Sequence, residues 1–274
     1  MSIEARKQLS ASQIQCLFRC PREYAYQYIL KIPQPRNGAM LFGSAFHAAV
    51  AGETVDYEGL RVFDNDYPWA KALDVMISGH DFATAEVGAR IAGEARVETD
   101  DTILIVDDVV EKDGRWWLVE RKTSGRLDES KRSWVPRDVQ MVIYAGSVSE
   151  IANELFLNSA DFGGVQYITT MKPSERRKKT ETADEYGARM TSQTHVWTYP
   201  ADIFETAVAQ KQTLFSYAKM LQADIHRTYE QFMRVETLPA NTACCTRYNS
   251  PCPFRGMCDV ASGAPPLEEK CEEA

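Results

Sequence analysis

The chain has 274 residues, 44% of them hydrophobic and 26% charged, with a formal net charge of −8. That length accommodates a sizeable core, as one large domain or a core with an appended lobe. The acidity excludes a protein that coats nucleic acid by bulk charge, but not a nuclease, whose acids hold metal ions and whose cations line one groove. No apolar run approaches the roughly 18 residues that span a bilayer, so no membrane association is expected. The N-terminus MSIEARKQLS lacks the apolar stretch of a secretion signal. The expected compartment is the cytoplasm, bacterial or of a phage-infected host.

In chain order, residues 10–30 read as two short helices. Ser10 and Gln13 in "SASQ" make a capping-box pattern. "CPREYAYQYIL" opens the second helix with Pro21 in its first turn. Cys20 then precedes a helix N-terminus, where the dipole favours a thiolate. Residues 33–38 read as a loop, 40–52 as an apolar helix containing His47, and 53–93 as helical with loops. Strand character begins near Glu94. "TILIVDDVV" at 102–110 is a strand, 111–114 a turn, and "RWWLVERK" the returning strand of a hairpin. A helix is expected over about 135–155, a strand over 164–172, a charged loop over 173–189, a strand over 194–200 and a long helix over 201–234. A flexible acidic tail is expected at 262–274. This order gives an α/β class with a mixed sheet flanked by helices, expected as a single domain with its core at about 40–200.

The hairpin carries the chemistry. Alternation puts Glu120 and Lys122 on one face with Trp116 and Leu118, and Trp117, Val119 and Arg121 on the other. An isolated E-x-K would be an exposed strand end, but Asp107 and Asp108 sit inside the partner strand, where acids are depleted. Two carboxylates from neighbouring strands can converge on a divalent cation, and a nearby lysine can stabilise developing charge. Asp107 shares a face with Ile105 and Val109 and is placed first, with Asp108 facing away. Taken singly, His47 would be a satisfied helix histidine, and Gln140 and Tyr144 surface and core.

Asp107, twelve intervening residues, then Glu120-x-Lys122-Thr123 resembles the core motif of the PD-(D/E)XK nuclease superfamily. His47 in "GSAFHAAV" resembles the metal-binding histidine of its RecB-like branch, and Gln140 and Tyr144 the Q-x-x-x-Y helix. "SASQIQCLFRCPREYAYQY" resembles the N-terminal segment of that branch, and the match runs from about residue 10 to 258. The resemblance implies a restriction-endonuclease-like core. It also implies Mg²⁺ or Mn²⁺ on His47, Asp107 and Glu120, with Lys122 positioning water and Gln140 and Tyr144 assisting. Arg121, Arg22, Arg19 and the run 176–179, with Arg176 and Arg177, are candidate phosphate contacts. The implied activity is DNA cleavage, as an exonuclease on single-stranded ends, with a helicase, recombination or CRISPR-integration partner. Two alternatives stand beside it: a catalytically weak DNA-binding partner in a recombination complex, and a zinc-stapled structural protein.

Seven cysteines, four of them at 244–258, favour metal or cluster ligation over disulfides in a reducing compartment. Cys245-x6-Cys252-x5-Cys258 supplies three ligands and Cys20 a fourth. Four thiolates suit zinc, but no C-x2-C pair occurs, and iron–sulfur clusters accept irregular spacing. One remote N-terminal cysteine and three C-terminal ones resemble the iron–sulfur nucleases of the superfamily, among them the CRISPR-associated exonucleases and AddB-type subunits. That resemblance implies a [4Fe–4S] staple joining residues 10–30 to 240–260. Cys245 is preferred to its neighbour Cys244, and Cys16 and Cys271 are read as core and tail.

Overall fold

The computed structural model describes residues 7–34, 38–61, 69–125, 129–173, 178, 180–232, 234–241, 243, 245–247 and 250–261. Two compact units divide the chain. One contains Met1–Pro35, Asp100–Thr102 and Gln212–Ala274, and the other Arg36–Thr99 and Ile103–Lys211. Both terminal segments grouped by the cysteine pattern, 10–30 and 240–260, fall in the first unit.

The chain opens in the first unit with β1 (Leu9–Ser10), whose Leu9 N–H donates to the Asp101 carbonyl at 2.9 Å. Helix α1 (Ala11–Arg19) starts on the expected capping box. The Gln13 N–H donates to the Ser10 hydroxyl at 3.3 Å, and the Ser10 N–H to the Gln13 side chain at 2.8 Å. Its apolar face buries Ile14, Cys16 and Leu17. Cys20 is extended, and α2 (Pro21–Tyr24) makes a single turn before the backbone widens into a π-helical turn at Ala25–Ile29, where the Leu30 N–H reaches back five residues to Ala25. The second helix therefore fills the expected stretch but is less regular than the sequence suggested.

The second unit begins with α3 (Gly38–Ala51), α4 (Tyr57–Arg61) and α5 (Trp69–Thr84), which pack through Phe42, Phe46, Leu60, Leu73 and Met76. The sheet follows: β2 (Ala89–Glu98), β3 (Thr102–Lys112) and β4 (Arg115–Ser124) form an antiparallel meander. Strand β2 starts five residues before the expected Glu94, because a bulge at Arg90/Ala92 hides its alternation. The β3–β4 turn is Asp113–Gly114, both at positive φ (55° and 73°), the geometry that matches strand twist in a two-residue hairpin.

The expected helix at 135–155 is two helices, α6 (Val139–Ala145) and α7 (Val148–Glu154), preceded by 3₁₀ turns at Glu129–Ser133 and Val135–Arg137. Gly146 and Ser147 make the break, and the Ser147 hydroxyl donates back to the Ile143 carbonyl at 2.7 Å. Strand β5 (Phe162–Met171) returns parallel to β4, and β6 (Thr194–Pro200) pairs antiparallel with β5, giving the order β2-β3-β4-β5-β6. Between them lies α8 (Ala183–Arg189), inside the stretch expected to be a loop; its Tyr186 joins the α3–α5 core. The architecture is a mixed α/β fold with a mixed sheet. Helix α9 (Ala207–Phe232) belongs to the first unit from Gln212 onward, and the short strands β7 (Thr246–Arg247) and β8 (Ser250–Pro251) and helix α10 (Arg255–Ala261) complete that unit.

Candidate active site

The β3–β4 register pairs Asp108 with Val119 and Val109 with Leu118. Directly opposed residues share a face, so Asp107, Val109, Leu118, Glu120 and Lys122 lie on one side, and Asp108, Val119 and Arg121 on the other. Beyond the Asp108–Val119 pair the Asp107 side chain enters the ladder, and its Oδ2 accepts the Arg121 backbone N–H at 2.7 Å. That bond fixes the carboxylate beside Glu120.

Glu120 is 2% exposed. Its Oε1 is paired with the Lys122 ammonium, while its buried Oε2 has no hydrogen-bond partner among the described residues. Burial pushes its carboxyl up to about 7; Asp107 adds to the rise and Lys122 opposes it. For Lys122, burial alone would lower the pKa, but Glu120 and Asp107 outweigh it and the ammonium is held charged. Lys122 Nζ also donates to Gln140 Oε1 at 3.0 Å, and Gln140 Nε2 to the Tyr144 hydroxyl at 2.9 Å. The Tyr144 hydroxyl in turn donates to the Ile105 carbonyl. Gln140 and Tyr144, one turn apart on α6, therefore tie the lysine to strand β3.

Helix α3 brings His47. A Cβ on Gly43 would stand 3.7 Å from the Thr123 hydroxyl, so this face of α3 lies against β4. His47, one turn on, places Nδ1 3.7 Å from Asp107 Oδ1. Its pKa is lowered, by burial first and by Lys122 and Arg121, against the pull of Asp107, so the imidazole stays neutral and able to ligate. The expected six, His47, Asp107, Glu120, Lys122, Gln140 and Tyr144, are thus brought together. Among the described residues no group of three or more His, Cys, Asp or Glu side chains stands in a position to hold a metal ion, here or at the cysteines. The donors nonetheless suit a hard divalent ion: a neutral histidine and two carboxylates, one of which, Glu120, has a buried oxygen without a hydrogen-bond partner among the described residues.

The opposite face holds a network that the sequence reading missed. Asp108, 1% exposed, pairs with Arg90 at 2.5 Å and with Arg121, whose Nε also donates to His80 Nε2 at 3.2 Å. The signal was there, in a second acid beside the first, but Arg90 on β2 and His80 on α5, which joins through Arg121, are remote in sequence. Arg121, expected to touch phosphate, has its guanidinium engaged on this face. In the first unit, Arg22 is buried and donates to the Leu238 and Glu236 carbonyls, and Arg19 pairs with Glu23 at 2.7 Å. Arg176 and Arg177 lie outside the described residues.

Also in the first unit, Cys20, Cys245, Cys252 and Cys258 line a single pocket. None of the four is in a disulfide, and burial raises Cys252 and Cys258 above the ordinary thiol range. Cys16 lies in the core, its thiol pushed up to about 12 by burial. Cys244 and Cys271 lie outside the described residues.

A family model described as the PD-(D/E)XK nuclease superfamily matches residues 8–259. The chain belongs to the PD-(D/E)XK nuclease superfamily. The match spans both units and contains every residue of the site just described. A solved structure described as "Putative exonuclease", from Eubacterium rectale, is 12% identical, with a TM-score of 0.48 over 80% of this chain and 82% of that one. Comparison with curated proteins finds no significant match. No helix among the described residues is long and apolar enough to cross a membrane.

Proposed function

We propose that this superfamily member is a divalent-metal-dependent deoxyribonuclease acting exonucleolytically on single-stranded ends. The observation that carries the reading is Glu120: buried, paired on one oxygen with Lys122, without a hydrogen-bond partner on the other among the described residues, and in the field of Asp107, which itself stands 3.7 Å from His47. His47, Asp107 and Glu120 would hold Mg²⁺ or Mn²⁺. A cation there supplies Lewis acidity and charge neutralisation at a phosphodiester. Lys122, held between Glu120 and Gln140, presents its ammonium protons to the attacking water and the developing charge. Gln140 and Tyr144 fix the lysine's position.

The same reading gives Cys20, Cys245, Cys252 and Cys258 a structural [4Fe–4S] cluster in the first unit, supported by their shared pocket and by the lack of zinc-type spacing. It places the protein in the cytoplasm of a bacterium or phage-infected cell, in DNA recombination, repair, phage DNA processing or CRISPR adaptation. A helicase, recombination or integration partner fits these settings.

The test is digestion of single-stranded and blunt duplex DNA, labelled at either end, by anaerobically purified protein with Mn²⁺ or Mg²⁺. Mononucleotide or short-oligomer release from single strands, abolished by chelation, is expected. Metal-independent cleavage, or internal cuts in intact circles, would contradict the exonuclease reading.

A further inference from the structure

Between β4 and α6, outside every motif discussed above, the chain reads "ESKRSWVPR" from Glu129 to Arg137. Trp134 is 64% exposed, an unusual place for a large apolar ring. The ring does not belong to a loose loop. The next residue, Val135, is buried, and the Tyr199 hydroxyl donates to the Arg132 carbonyl at 2.9 Å, anchoring the segment to β6. The Arg137 guanidinium stands 5.9 Å from the Trp134 ring centroid, so the ring has a cation on one side.

Lys131, Arg132 and Arg137 are all exposed, and none forms an ion pair among the described residues. Glu129 is the acid of the segment. Asp138, just after it, is committed to capping α6, its carboxylate accepting the Gln140 N–H at 2.8 Å. In a chain of net charge −8, three exposed cations against two acids, Glu129 and the capping Asp138, leave a local positive excess around an exposed indole, which suits a polyanion with flat aromatic groups.

The segment also ends at the site. Asp138 acts electrostatically on both Glu120 and Lys122, and Gln140, two residues on, accepts a hydrogen bond from Lys122. From Trp134 to Gln140 the chain could span at most ~20 Å fully extended, and the 3₁₀ turn shortens this.

We propose that Glu129–Arg137 is a strand-holding surface, on which Trp134 stacks a base of single-stranded nucleic acid while Lys131, Arg132 and Arg137 engage its phosphates. The assignment rests on the nuclease reading and adds to it the place where the substrate strand lies. Stacking on an aromatic tolerates any base, which suits an enzyme without sequence preference. It also requires an unpaired base, which favours a single strand over a duplex.

The test is fluorescence anisotropy of a labelled single-stranded oligonucleotide and its blunt duplex, with Mn²⁺, in the cleavage-deficient Glu120→Gln background. Trp134→Ala is expected to weaken single-strand binding about 10-fold and duplex binding much less, with an unchanged melting temperature because the ring is exposed. Trp134→Phe keeps a stacking face and is expected to retain most of the affinity. Unchanged single-strand affinity in Trp134→Ala would overturn the proposal and leave the surface to a protein partner. Should the parent protein bind no nucleic acid and wild type cleave none, the nuclease reading falls as well. Binding and cleavage by wild type with a silent Trp134 would remove this inference alone.

Discussion

At the scale of single residues, the two faces of β3 and β4 set neighbouring charged groups to different work. Glu120 is paired with Lys122 through Oε1 and its Oε2 has no hydrogen-bond partner among the described residues, whereas Asp108, one residue from Asp107, has Oδ1 ion-paired with Arg90 and Oδ2 with Arg121, although Oδ1 makes no well-aligned hydrogen bond. His80 belongs to the second group. Buried, accepting from Arg121 and edge-on to Phe46, it has a pKa lowered first by burial and then by the arginine. A lowered histidine contributes stability that is present above its ordinary value of about 6.5 and lost as pH falls through the lowered value. The melting temperature of wild type should therefore drop more steeply below pH 6.5 than that of His80→Gln. Parallel curves for the two proteins would remove His80 from the account. That Asp107 shares a face with Glu120 and Lys122 while Asp108 turns away was legible because alternation along a strand is strict. His80 was not legible, because a lone histidine in an amphipathic stretch carries no sign of the arginine that packs on it from another element. The engagement of Arg121 and Arg22 was equally hidden: their partners, Asp108 across the hairpin and carbonyls more than 200 positions away, are set by the fold.

Among the elements, the hairpin and strand β5 were readable from apolar runs bounded by turn signals, and the helix of His47 from its apolar length. The departures have local causes. Ser147 competes for the helix backbone and splits α6 from α7, and the bulge in β2 breaks the alternation that would have marked its start. Helix α8 is short and charged, and it forms on Tyr186, packed into the core, and on a reciprocal capping box between Thr182 and Glu185. The β5–β6 pairing also depends on a residue without a side chain. Gly164 has φ +134°, and an added Cβ would collide with the Tyr199 carbonyl and the Pro200 backbone. Gly164→Ala is predicted to destabilise the protein by about 2–4 kcal/mol, combining overpacking with backbone strain, as read from denaturant unfolding. A loss below about 0.5 kcal/mol, the range of neutral surface changes, would contradict the geometry.

For the molecule as a whole, the chain's two units carry different chemistry. One holds the carboxylates and lysine, the other the four cysteines that line one pocket. The cysteine spacing pointed to a shared site because clustered thiols in a reducing compartment are seldom scattered core residues. The same spacing could not reveal that the second unit's helices α3–α5 and α8 form a core of their own. If the thiols hold a cluster, anaerobically purified wild type should contain about four irons per chain and absorb in the visible, while Cys20→Ser and Cys252→Ser should lose iron and melt at lower temperature. A colourless preparation holding one zinc would replace the cluster with a zinc staple and leave the nuclease site untouched.

The central claim is that Glu120 and Lys122, at the end of one strand, perform phosphodiester cleavage with a bound divalent ion. The measurement that tests it most directly is the rate of release from end-labelled single-stranded DNA with Mn²⁺ for wild type, Glu120→Gln and Lys122→Ala, each confirmed folded by its melting curve. Loss of at least about 100-fold in both variants is predicted, the scale on which removing one stabilising group from a developing charge is felt. Cleavage that survives both substitutions would place the chemistry elsewhere and contradict the account.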